Sequence, residues 1–266
     1  MPGPPFELRG RWAAISGASA GIGAASARRL AARGMHLVLG ARRLERLRAL
    51  ADELAARHGV RALALPLDVT DAAAADAFAA QAQAAAGDAG VHLLLNSAGF
   101  ARGVARIPTA TSADEHDWEE MFAANVLGLL RVTRRFVPGM LARDAGHVIN
   151  MGSLAGRETY EGGSVYCATK VAVRVISKAL RLELLGSRVR VTCINPGLVE
   201  TEFSVVRLGS QARSDAVYAG MTPLNADDIA DAIEWVAGLP AETCIEELDL
   251  QPVDQASAQK VHRRPA

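Results

Sequence analysis

The sequence has no excess of either charge: Lys plus Arg total 29, Asp plus Glu total 29, and the formal net charge is zero. That balance points away from nucleic acid and from an anionic membrane surface as partners, since both select a basic face. Cysteine is scarce. Cys167, Cys193 and Cys244 are odd in number, widely separated and without zinc-type spacing. Neither a disulfide framework nor a metal site is expected, and a reduced, cytoplasmic setting is the economical reading. No apolar run approaches the ~20 residues that a membrane-spanning helix needs. The opening residues lack the basic-then-apolar pattern of a secretion signal. The basic run from Lys260 to Arg264 is short and reads as part of a solvated C-terminal tail over 254–266.

What is present is apolar and regularly punctuated. Half of the 266 residues are hydrophobic, enough for one α/β domain with a sheet covered on both sides, placed at 8–253. Strand-like segments at 12–16, 36–39, 60–67, 91–95, 147–151, 189–194 and 245–250 alternate with helix-like ones at 24–33, 44–57, 72–86, 118–141, 164–185 and 226–239. This alternation predicts a Rossmann-type doubly wound sheet of about seven parallel strands with helices on both faces. Asp68 is placed to cap the helix that begins near Thr70, and Asn225 to cap the last one, with Asp227 and Asp228 in its first turn. Pro138 is expected to kink or end its helix. The stretch 202–221 is irregular, contains two glycines and reads as a lid.

Chemistry concentrates at strand ends. The first strand runs into Gly17, Ser19, Ala20, Gly21, Ile22 and Gly23 and then a helix. In that context glycines admit a pyrophosphate to the backbone, and the helix N-terminus offers it free N–H groups. The second strand ends in Ala41, Arg42 and Arg43. No acid is there to hold a ribose 2′-hydroxyl, and two guanidiniums suit a 2′-phosphate, so NADP is expected as cofactor rather than NAD. Farther on, Tyr166 and Lys170 are four residues apart on a predicted helix and share a face. An ammonium beside a phenol is expected to lower its pKa and fit it for proton transfer at neutral pH. Ser153 follows the fifth strand, where open α/β sheets place their chemistry.

Together Ser153, Tyr166 and Lys170, the run Gly17 to Gly23, Asn96-Ser97-Ala98-Gly99, Asn125 and the Pro196-Gly197 motif ending at Thr201 resemble the short-chain dehydrogenase/reductase family. The likeness covers nearly all of 11–252. It implies catalytic roles for Asn125, Ser153, Tyr166 and Lys170. It implies cofactor contacts from Asp68 and Val69 at the adenine, from Asn96, Ala98 and Gly99 at the ribose, from Lys170, with Tyr166, at the nicotinamide ribose, and from Pro196, Gly197, Val199 and Thr201 at the nicotinamide. It also implies that Asn125 bends its helix and that the protein is a homo-oligomer, a tetramer or dimer. Ser16 and Ser97 depart mildly from the family pattern. Segments such as 41–47, 162–170, 202–207 and 217–224 are similar to NADP-dependent serine and 3-hydroxy acid dehydrogenases. A small hydroxy acid is then the expected substrate, with Ser153 and Tyr166 on its oxygen, Arg207 on its carboxylate and Tyr160 and Phe203 as walls. A broader NADPH carbonyl reductase is the alternative, and a non-catalytic NADP-binding scaffold or sensor the alternative outside enzymes. A sugar-nucleotide epimerase would need a longer C-terminal part.

Overall fold

Strands that are apolar on both sides need cover on both faces, and the chain alternates to supply it. A computed structural model describes residues 6–265. Its strands are β1 (Trp12–Ser16), β2 (His36–Ala41), β3 (Ala62–Pro66), β4 (Val91–Asn96), β5 (Gly146–Met151), β6 (Val189–Pro196) and β7 (Glu247–Leu250). They form one parallel sheet in the order β3-β2-β1-β4-β5-β6-β7. Along β4, Leu93 and Leu95 face a cluster with Leu30 of α1 (Gly21–Ala32), Leu47 of α2 (Leu44–His58) and Ile233 of α9 (Ala226–Ala237). Leu94 faces the other side, against Phe78 of α3 (Ala72–Ala86) and Phe136 of α5 (Leu129–Ala142). The strand order reverses between β1 and β4, where Ser16 pairs with Asn96. Loops leave the sheet in opposite directions there and open a crevice at the strands' C-terminal ends.

Several local expectations are corrected. The fourth helix begins at Ser112, six residues before 118, because Thr111 and Asp114 close a capping box; it is α4 (Ser112–Phe122). Asn125 lies in a π-helical turn, Ala123–Gly128, that joins α4 to α5. Pro138 does not end α5, which continues to Ala142. Asp71, not Asp68, caps α3 by accepting from Ala73 N at 2.8 Å. Asp68 instead receives the Thr70 amide and hydroxyl at 2.9 and 2.7 Å and folds the turn after β3. The 202–221 stretch is mostly helical, as α7 (Glu202–Leu208) and α8 (Gln211–Tyr218), capped by Thr201 and Ser210. Both helices are too short for periodicity to reveal. Asn225 does cap α9, with Asp227 and Asp228 in its first turn.

Nor does the chain loosen after β7. Gln255 is buried, and its Oε1 accepts from Leu198 N at 2.8 Å. Asp254 accepts from Thr222 N at 2.9 Å, Ala258 N donates to Glu158 Oε2 at 2.7 Å, and Arg264 N donates to Gly220 O at 2.7 Å. Those bonds order a segment that has no apolar pattern of its own. No described helix is long and apolar enough to cross a membrane.

Away from the crevice, His92 and His147 are buried on neighbouring strands, with Arg190 close by. Burial, reinforced by Arg11, Arg190 and Arg143, pushes His92 down to about 3, and burial likewise pushes His147 well below its usual value. Both stay neutral in the folded chain where the unfolded chain protonates them, so the unfolded state binds more protons below the ordinary histidine pKa of ~6.5. Stability is therefore full above that value and falls as pH drops beneath it, by about 1.4 kcal/mol per pH unit for each histidine. Thermal melts between pH 7.5 and 5 should show this slope. His92→Phe should roughly halve it, leaving the share of His147, without loss at pH 7.5, because His92 Nε2 has no hydrogen-bond partner to lose and the ring already stacks on Phe6 at 4.5 Å. A slope unchanged in the variant would refute the assignment.

Candidate active site

The glycine turn after β1 is held open by contacts that exclude a side chain. Gly17 has φ of +73°, and a methyl there would sit 2.7 Å from Ala98 Cα. Ala20 precedes α1 without a side-chain cap, and the first turn of α1 carries no acid. Its unpaired N–H groups therefore face the crevice as anion donors. β2 ends at Ala41 with no carboxylate, and Arg42 and Arg43 stand at the same rim. Glycine cradle, uncapped helix end and paired guanidiniums form a donor set that fits a dinucleotide bearing a 2′-phosphate.

From this rim a cleft of about 830 Å³ runs along the C-terminal edge of the sheet. It gathers most residues singled out from the sequence: Gly17, Ser19, Ala20, Gly21, Ile22, Arg42, Arg43, Asp68, Val69, Ala98, Gly99, Ser153, Tyr166, Lys170, Pro196, Gly197, Val199, Thr201 and Arg207. Three are not on its wall. Gly23 lies inside α1 and lets that helix pack on the Gly17 carbonyl. Asn96 stitches the sheet, donating to Thr133 Oγ1 and Asn150 Oδ1, both at 2.9 Å. Asn125 clasps the Phe100 main chain, accepting its N–H at 2.9 Å and donating to its carbonyl at 2.8 Å, with Thr169 Oγ1 at 3.2 Å. These two asparagines shape the cleft from behind.

Ser153 leaves β5 in extended conformation and starts a short turn by accepting from Ala155 N at 3.1 Å. Tyr166 and Lys170 lie one turn apart on α6 (Ser164–Glu183), both buried. Lys170 Nζ donates to Met151 O at 2.8 Å and stands 5.8 Å from the Tyr166 ring centre. Burial lowers Lys170 to about 8. Burial, with Tyr160, raises the Tyr166 phenol above its ordinary value. The expected acidic phenol is thereby corrected in its net direction: burial outweighs the Ser153 hydroxyl and the Arg207 charge, which pull it down.

Arg207 reaches inward from α7. Its Nη1 donates to Tyr160 Oη at 2.9 Å, its Nε to Gly103 O at 3.2 Å, and its guanidinium carbon lies 5.6 Å from the Tyr166 ring centre. Phe203 tilts against Tyr166 with ring centres 5.6 Å apart. Tyr160 and Phe203 both line the cleft. Gln255 and Ala258 close it from the C-terminal segment, and Glu202 borders it. No local pattern marks Gln255 or Ala258, since each arrives through a contact far away in sequence. Among the described residues no cluster of His, Cys, Asp or Glu could hold a metal.

The short chain dehydrogenase model matches residues 11–209. The NADP-dependent 3-hydroxy acid dehydrogenase of Salmonella typhi is 43% identical over 252 residues, spanning 94% of this chain and 98% of that protein. The serine 3-dehydrogenase of Agrobacterium fabrum is 42% identical over 246 residues, spanning 92% and 94%. Among solved structures, the closed form of serine dehydrogenase complexed with NADP+ superposes with a TM-score of 0.86 at 39% identity, covering 95% of this chain and all of that one.

Proposed function

Because this chain belongs to the short-chain dehydrogenase family, we propose that it is an NADP-dependent oxidoreductase acting on a small hydroxy acid or its carbonyl form. The observation that carries this reading is one cleft lined at one end by the glycine cradle and paired arginines, and at the other by Ser153, Tyr166, Lys170 and Arg207. Gly17 to Gly23 and the start of α1 would hold the pyrophosphate, Arg42 and Arg43 the 2′-phosphate, Asp68, Val69, Ala98 and Gly99 the adenosine side, and Lys170 with the Pro196 to Thr201 loop the nicotinamide end. Bound NADP would supply or accept the hydride.

The chain's own contribution is orientation and proton handling. Ser153 donates a hydrogen bond to the substrate oxygen, and Tyr166 delivers the proton to that oxygen in reduction or withdraws it in oxidation. Asn125 fixes the wall through Phe100 and Thr169. Arg207 meets the substrate carboxylate, which needs a cation once it leaves water. Leu127, Leu130, Val171, Val175 and Leu182 expose apolar surface on the helices that carry Asn125 and Tyr166. This supports a homo-oligomer of two or four copies.

The test is an absorbance screen of NADP and NAD against 3-hydroxy acids, serine and uncharged secondary alcohols, with sedimentation of the same sample. Arg207→Met should lower kcat/KM for a hydroxy acid by roughly tenfold or more, the scale of a charged hydrogen bond, and spare an uncharged alcohol. Equal losses on both would assign Arg207 to holding Tyr160 and Gly103 instead. Turnover confined to uncharged ketones would favour the carbonyl reductase reading, and a monomer in sedimentation would remove the oligomer.

A further inference from the structure

Glu202 opens α7 and lies between two arginines, Arg43 on the cofactor side of the cleft and Arg46 one turn farther along α2. Arg43 Nη1 meets one of its carboxylate oxygens at 2.8 Å, and Arg46 Nη1 meets the other at 2.7 Å. Hydrogen bonds from Arg43 and then Arg46 hold the Glu202 carboxyl below its ordinary value, so it is charged at neutral pH. Arg43 is also tied to the phosphate turn, donating from Nε to Ser19 Oγ at 3.1 Å. On the other side, α7 carries Phe203 against Tyr166 and Arg207 against Tyr160. One carboxylate thus joins an arginine suited to a phosphate to the helix that covers the chemical end of the cleft.

A carboxylate and a phosphate dianion compete for the same guanidinium, and they repel one another when both are near it. A 2′-hydroxyl carries no charge and offers Arg43 no comparable partner. Taking the NADP reading above as its premise, we propose that Glu202 is a specificity-determining residue. It occupies Arg43 until a ribose 2′-phosphate displaces it, which weakens binding of the phosphorylated cofactor and frees the start of α7 from Arg43. Occupancy of the 2′-phosphate site and the position of the substrate-side helix are then linked, and a ligand without the phosphate leaves α7 tied.

The probes are 2′,5′-ADP and 5′-AMP, titrated calorimetrically into the full chain, with backbone amide exchange followed over 202–208. The wild-type protein should bind 2′,5′-ADP more tightly than 5′-AMP, and only 2′,5′-ADP should speed exchange in α7. Glu202→Gln should tighten 2′,5′-ADP by up to about fivefold, the equilibrium equivalent of an exposed ion pair worth at most about 1 kcal/mol. It should leave 5′-AMP unchanged and make α7 exchange fast and indifferent to either probe. Glu202→Asp keeps the charge at the helix start but shortens the reach, and should shift both readouts the same way by less. A wild-type ratio of the two affinities in both variants, or equal α7 exchange with both probes in the wild type, would overturn the proposal. A wild-type protein that binds the two probes equally would instead remove the NADP reading, and this inference with it.

Discussion

Tyr166→Phe should lower kcat by about a thousandfold, within the 10²–10⁴ range of a lost general acid–base, while NADP binding stays within about twofold of wild type. The variant removes one oxygen and little else. The ring remains packed against Phe203 at 5.6 Å, and Lys170 keeps its bond to Met151 O. Binding should survive because the glycine cradle and the arginine rim lie at the other end of the cleft. The direction of the reaction enters through the phenol. Burial raises its pKa, so it is protonated through neutral pH, the form that can donate to a carbonyl oxygen. Oxidation needs the conjugate base, so its rate should climb with pH while reduction does not. Initial rates in both directions, beside a fluorescence titration of NADPH, check all three expectations. A variant with wild-type turnover would falsify the assignment of the proton step to Tyr166. A wild-type protein that binds NADPH yet turns over nothing would favour the scaffold reading.

The parallel sheet was legible because its cause is local. Buried strands such as β4, Val-His-Leu-Leu-Leu-Asn, are apolar on successive residues, and amphipathic helices separate them. The glycine cradle was legible for a related reason: a turn pressed against Ala98 leaves no room for a side chain, and that constraint is written in residue type. Three kinds of feature were not. Short capped helices such as α7 span only about two turns and show no period. The segment after β7 is ordered by single hydrogen bonds from Gln255, Asp254 and Ala258 to remote loops, which no neighbouring residue announces. Electrostatics at Tyr166 depended on distance and burial together. Spacing correctly placed Lys170 one turn away, but only the fold shows its ammonium directed to Met151 O and the phenol enclosed. The asparagines illustrate the same limit. Asn96 and Asn125 were picked out as site residues, but which bonds their side chains make, to Thr133 and Asn150 and to the Phe100 main chain, only the fold shows.

Gly23→Ala should be severely damaging in the cofactor half, costing roughly two orders of magnitude in NADP affinity and about 1–3 kcal/mol of stability. The methyl would meet the Gly17 carbonyl oxygen inside van der Waals contact, with the carbonyl carbon at 2.9 Å and Ala18 Cα at 3.1 Å. These are main-chain atoms and have no rotamer to change. The turn cannot retreat either, because its other side lies against the Ala98 backbone, where even a methyl on Gly17 would come within 2.7 Å. Either α1 lifts away from β1 or the turn is pushed toward the cleft. Both displace the N–H groups at the start of α1 by a distance on the ångström scale, and losing one or two hydrogen bonds to a charged phosphate costs about a hundredfold in affinity. Gly59→Ala supplies the contrast. Gly59 ends α2 with φ of +66° and has nothing within 4 Å of its missing methyl. That variant should lose about 1 kcal/mol to left-handed backbone strain and nothing in binding. Melting temperatures and NADPH titrations of the pair separate crowding of the turn from glycine loss in general. If Gly23→Ala bound NADPH as tightly as wild type, close packing of α1 on the turn would not be what presents those N–H groups, and the cradle would have to be assigned to other atoms.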